Sequence, residues 1–99
     1  MILYRAMSEK ELHKTNFADS SFNFDKCKNK WFTQSFGFLL RKLSRRSQYN
    51  YVVKLETHFN GFRYLNNKEL MVNQNFPFRL LWIKKISELL KCQNQKEMM

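Results

Sequence analysis

The apolar positions come in short runs, and their period changes along the chain. Ile2 to Ala6 is a brief apolar stretch bounded by a turn signal, which reads as a buried first strand. Ser8, with Glu11 three residues on, forms a capping box in which each side chain bonds the other's backbone N–H, and this predicts a short helix from Glu9 to about Thr15. Residues 16–29 are rich in Asn, Asp and Ser, with Phe17, Phe22 and Phe24 spaced through them. They read as a long loop pinned to the core by aromatics, and a loop of that length inside a small domain is more often functional than idle. A helix from Ser20 onward is the competing assignment.

Lys30 to Thr33 reads as a short strand. Beyond Ser35 the period switches, with Phe36, Leu39, Leu40 and Leu43 on one stripe of an amphipathic helix. Ser35 is its natural N-cap. Tyr49 to Thr57 alternates as a strand, and Asn60-Gly61 signals a turn. Phe62 to Leu65 and Glu69 to Val72 follow as two short strands around Asn66-Asn67-Lys68. After Pro77, the spacing of Trp82, Ile83, Ile86, Leu89 and Leu90 predicts a last helix from Phe78 to Lys91. The expected fold is α+β: a small mixed or antiparallel sheet of about five short strands with about three helices packed on it. Residues 1–91 form its single domain and residues 92–99 a frayed polar tail.

Ninety-nine residues suit one domain with a thin core, which ten Phe, four Tyr and two Trp thicken. The net charge of +10 changes the picture most. It is unevenly spread: Lys26 to Lys54 holds eight Lys or Arg and no acid. Such a one-sign field attracts polyanions. Arg41, Lys42, Arg45 and Arg46 crowd the end of the second helix, more than the helix dipole calls for, and with Lys54 they are the candidate polyanion-binding residues. The partners this implies are nucleic acid or an acidic protein.

Cys27 and Cys92 lie far apart with no Cys/His cluster, so neither a zinc spacing nor a disulfide framework is present. No apolar run reaches membrane-spanning length and the N-terminus lacks a signal-peptide pattern, so a reducing cytoplasm with free thiols is expected. The two glycines, Gly37 and Gly61, make no phosphate loop, and no G-x-S-x-G, H-E-x-x-H or calcium-loop motif occurs. Cys27 with His13 or His58 has no supporting spacing as a nucleophile and base. Glu56 and His58, two apart at a strand end, form a candidate acid/base pair.

Three segments in order carry a further signal: Leu3-Tyr4-Arg5-Ala6-Met7-Ser8, Trp31-Phe32-Thr33-Gln34-Ser35 before the amphipathic helix, and Lys68-Glu69-Leu70-Met71-Val72. Together they resemble the ADP-ribosyltransferase superfamily of the arginine-serine-glutamate type. The first is similar to its opening strand, which ends in Arg and leads to a capped helix. The second is similar to its aromatic-Ser-Thr-Ser strand and helix, with Thr33 for the first Ser and Gln34 for the Thr. The third is similar to the strand of its catalytic glutamate, and Tyr51-Val52-Val53-Lys54-Leu55 takes the place of a core strand.

The resemblance implies NAD as donor, with Glu69 stabilising the charge that builds on the ribose. It implies that Arg5 binds the phosphates or ribose, that Thr33 and Ser35 brace the nicotinamide pocket, and that Trp31 or Phe32 supplies an apolar wall. Asn67 stands two before Glu69, where many arginine-modifying members carry a second acid, and this points away from arginine as the acceptor. Two other classes stay open: a non-catalytic basic binding module, and a small ribonuclease toxin using His58, Arg63 and Tyr64.

Overall fold

The computed structural model describes residues 1–20, 29–43 and 48–90. The apolar runs pair into one six-stranded sheet: β1 (Ile2–Met7), β2 (Lys30–Thr33), β3 (Tyr51–Glu56), β4 (Arg63–Tyr64), β5 (Glu69–Val72) and β6 (Arg79–Lys85). Their order is β4-β5-β2-β1-β3-β6, and every neighbouring pair is antiparallel. β1 and β2, whose residues open the first two motifs, are therefore central and bonded on both sides.

Period-two alternation gives the sheet two different faces. Leu3, Met7, Phe32, Val53, Leu55 and Leu70 point to one side, where Phe62, Phe76 and Phe78 close a core of packed rings. Helix α1 (Glu9–Lys14) lies on this side through Leu12. Its start and its Ser8 cap follow the sequence reading, the Ser8 hydroxyl accepting the Glu11 N–H at 3.2 Å, but the returning half of the capping box is not formed, because the Glu11 carboxylate is held by Arg5. Ala6 and Val52 point to the other side, where Leu39 and Leu43 of helix α2 (Phe36–Leu43) cover them together with Ile86. The first side is the ring-packed face and the second the helix face.

The expected last helix is the main correction. Residues 79–85 form β6, which pairs with β3, and helical structure starts only at Ile86 and runs through Leu90 as α3. Leu80 packs into the ring-packed core and Trp82 into the helix-side core, on opposite faces of the sheet, because a register shift between Lys54 and Leu55 leaves the exposed Leu81 as an extra residue between them. Trp82 and Ile83 favour a strand, and pairing along β3 overrides a spacing that also fits a helix. The sheet consequently has six strands rather than about five, in a single α+β domain. The other strands keep their expected places, with β3 and β4 each shorter at both ends. Most of the expected 16–29 loop, Arg45 and Arg46, both cysteines and the 92–99 tail lie outside the described residues. No helix among the described residues is long and apolar enough to cross a membrane.

Candidate active-site cleft

A cleft of about 470 Å³ opens on the helix face, between α2 and the strands β1, β2 and β5. Its lining includes Tyr4, Trp31, Thr33, Phe38, Lys42 and Glu69. The cross-strand register brings these together from distant parts of the chain. Glu69 pairs with Thr33, Thr33 with Tyr4, and Tyr4 with Lys54, so they form one row across the sheet on one face. The residues of the second and third motifs thus meet at one cleft.

Thr33 is the joint of the site. It is buried, at 4 % exposure. Its hydroxyl donates to the Lys68 carbonyl at 2.5 Å and accepts the Ser35 N–H at 3.1 Å. One side chain therefore fixes both the backbone entering Glu69 and the approach to α2. The Ser35 hydroxyl accepts the Phe38 N–H at 3.2 Å, which is the N-cap geometry expected of it. On the other side of Glu69, the Asn66 carboxamide oxygen accepts the N–H groups of Lys68 and Glu69, at 2.8 and 2.9 Å. This local turn sets the direction in which β5 begins.

The Glu69 carboxylate is mostly shielded, at 15 % side-chain exposure, and it accepts a hydrogen bond from the Lys42 ammonium. Lys42 also lies over the Phe38 ring at 4.8 Å, and Lys68 lies over the same ring at 5.4 Å. The rim of the cleft is thus an aromatic ring flanked by two cations, with a carboxylate behind one of them. In the sequence Phe38 has no assigned role, and Lys68 only a place at the head of the third motif. Phe38 sits off the apolar stripe of α2, and that was the available sign that it faces something other than the core.

Arg5 borders the cleft, but its guanidinium is turned to the ring-packed face with Leu3 and Met7. There Nε and Nη2 bond the two carboxylate oxygens of Glu11 at 2.6 and 2.9 Å, and Nη1 donates to the Trp31 carbonyl at 2.7 Å. The guanidinium stands over the Phe32 ring at 5.6 Å. The structure therefore does not bring the Arg5 side chain to Glu69. Phe32 shares that face, while Trp31 lies on the cleft side and is 49 % exposed.

The other expected groups scatter. Arg41 is exposed on α2, and Lys54 lies over Tyr4 and Trp82, at 5.7 and 6.0 Å. Arg63 and Tyr64 are successive strand residues and point to opposite faces. The Glu56 carboxylate is held by Arg79 at 2.8 Å, and His58 lies beyond the end of β3. No group of three or more His, Cys, Asp or Glu suited to a metal occurs among the described residues. Compared with protein-family models, curated proteins and solved structures, the chain matches none.

Proposed function

We propose that this protein is a small basic ADP-ribosyltransferase that uses NAD as donor and a protein or nucleic acid as acceptor. The observation that carries the reading is the single row in which Glu69 and Thr33 share one cleft with Phe38 and Lys42 of α2. The three segments that resemble the family lie on β1, β2 and β5, which are consecutive in the sheet. The cleft has the size of ordinary small-molecule sites, which run about 300–1,000 Å³. Its chemistry fits part of a dinucleotide: aromatic walls for a flat ring, a carboxylate for a sugar and an ammonium for phosphate.

In transfer, the bond between nicotinamide and ribose C1′ breaks and its electron pair leaves on nicotinamide, while an acceptor lone pair bonds C1′ and the acceptor releases a proton. Glu69 faces the positive charge that builds on the sugar and accepts from its 2′-hydroxyl. Lys42, now paired with Glu69, turns to the diphosphate when the donor enters. Thr33 and Ser35 hold Glu69 and α2 in register, so neither group reorganises during the step. Phe38 flanks the nicotinamide ring. Arg5 acts from behind, tying β1, α1 and the Trp31 backbone together.

Incubating wild type and Glu69→Gln with labelled NAD tests this. Nicotinamide release by wild type, reduced about 10²–10³-fold in a folded Glu69→Gln variant, is the expected result. An equally active Glu69→Gln protein overturns the assignment. The commitment of the Arg5 guanidinium to Glu11 favours a second reading, a non-catalytic basic module for nucleic acid or an acidic protein. Absence of both NAD binding and turnover would select it.

A further inference from the structure

Trp31 is out of keeping with its position. It belongs to β2, a strand bonded on both sides, yet half of its surface is exposed. Residues of central strands are ordinarily covered, so a large exposed ring there is informative in a way that an exposed ring on an edge is not. Its register partner is Met71, whose other partner is Arg63, so an indole and a guanidinium share one row on the cleft side of the sheet. Arg63 is exposed and takes part in none of the ion pairs among the described residues. Lys68 is also exposed and its ammonium rests on the rim ring Phe38. Glu69, which the register places on the same face as Trp31, already pairs with Lys42, which leaves Arg63 and Lys68 as surplus positive charge.

We infer that this surface binds single-stranded nucleic acid, with a base stacked on the Trp31 indole and flanking phosphates on Arg63 and Lys68. Single-strand sites combine these elements, a π-face that accepts any base and cations that follow the backbone. Duplex nucleic acid buries its base faces and has nothing to offer the indole. An acidic peptide fits less well, because its carboxylates would meet Arg63 and Lys68 but bring no flat ring by composition to the exposed Trp31 indole. Under the transferase reading the strand lies beside Glu69 and is the acceptor. The binding itself does not depend on that reading.

The test is fluorescence anisotropy of a labelled oligouridylate or oligothymidylate of about twelve nucleotides, without NAD, with a site of ordinary length in view. Wild type is expected to bind, with an affinity that falls steeply as salt rises. Trp31→Ala should weaken binding about tenfold or more, and Trp31→Phe should recover most of it. Arg63→Gln should weaken binding and lower the slope of log affinity against log salt by about one. Arg79→Gln, on the far edge strand and paired with Glu56, should bind as wild type. Unchanged binding in both Trp31→Ala and Arg63→Gln overturns the inference. So does equal competition by polyglutamate at the same charge concentration, or by duplex. NAD turnover measured on the same variants separates the two ideas: turnover without oligonucleotide binding sinks only this one, and binding without turnover sinks only the transferase.

Discussion

The Lys42 ammonium bonds the Glu69 carboxylate across 27 positions of sequence, and this pair joins the end of α2 to the start of β5. Its two members differ in exposure, at 47 % for Lys42 and 15 % for Glu69. The cation can therefore leave more readily than the carboxylate, which suits a pair that opens for a ligand. Pairs with one exposed member contribute little to stability, about 0–1 kcal/mol, because solvent and salt screen them. Lys42→Gln should accordingly lower stability by less than about 1 kcal/mol in urea unfolding. NAD binding by the same variant, followed by calorimetry, should weaken by at least about tenfold if Lys42 takes the phosphates. A large loss of stability with unaltered binding would make Lys42 a purely structural residue.

Thr33 makes the opposite prediction. Thr33→Val keeps the shape but removes the hydroxyl that serves both the Lys68 carbonyl and the Ser35 N–H. Both groups lose a partner at a buried position, at a cost of about 1–3 kcal/mol. For a domain of this size each kcal/mol corresponds to about 4–8 °C in melting temperature. Ser35→Ala should cost about 1 kcal/mol as a lost N-cap. Because the Ser35 backbone bonds Thr33, the double variant should depart from additivity by more than about 0.5 kcal/mol. Strict additivity would mean that the two residues do not act as one joint.

How far this arrangement could be read from sequence depends on which residues set it. β2 and β5 lie where alternation and turn residues put them, because Asn66 and the Ser35 cap act locally. The capped start of α1 was legible for the same reason. β6 was not, since Trp82, Ile83, Ile86, Leu89 and Leu90 lie on one helical stripe while a register shift beside Lys54 and Leu55 interrupts the strand alternation, and only the presence of β3 alongside decides. The Lys42–Glu69 pair also needed the structure, because nothing local says that α2 crosses toward β5. Arg5 lies between these cases. Its parity with Leu3 and Met7 was visible in the sequence, but that this parity turns it away from Glu69 depends on the pairing of β1, β2 and β5.

That placement gives Arg5 a testable role. Its guanidinium makes a fork to Glu11 and a third bond to the Trp31 carbonyl, with only 12 % of the side chain exposed. Lysine cannot reproduce three planar bonds. Arg5→Lys should therefore destabilise the fold by about 1.5–3 kcal/mol, the range for bonds to charged groups. Glu11→Gln should cost less, since the amide keeps the shape of the side chain and one oxygen that still accepts from the Arg5 guanidinium. A double-mutant cycle should give strong coupling between Arg5 and Glu11. Near-zero coupling, together with lost NAD binding in Arg5→Lys, would return Arg5 to the donor site.

Gly61 offers a prediction about the ring-packed core. None of the glycines has a positive φ, so replacing Gly61 by Ala raises no backbone objection. The obstacle is steric: a Cβ there would lie 2.4 Å from Phe59 Cζ. That ring cannot simply swing aside, because it stacks on Phe76 at 5.5 Å and meets Phe62 edge-on at 5.2 Å. Phe76 in turn packs on Phe32 at 5.6 Å, on the underside of the strand that carries Thr33. Gly61→Ala should then cost about 1–3 kcal/mol, as overpacking does, measured by thermal unfolding. Adding Phe59→Leu removes the colliding ring tip and should return part of that loss. Were Gly61→Ala stabilising instead, by the roughly 0.4–1 kcal/mol that a less flexible unfolded chain provides, Phe59 would have to be a mobile lid on this core and not one of its fixed members.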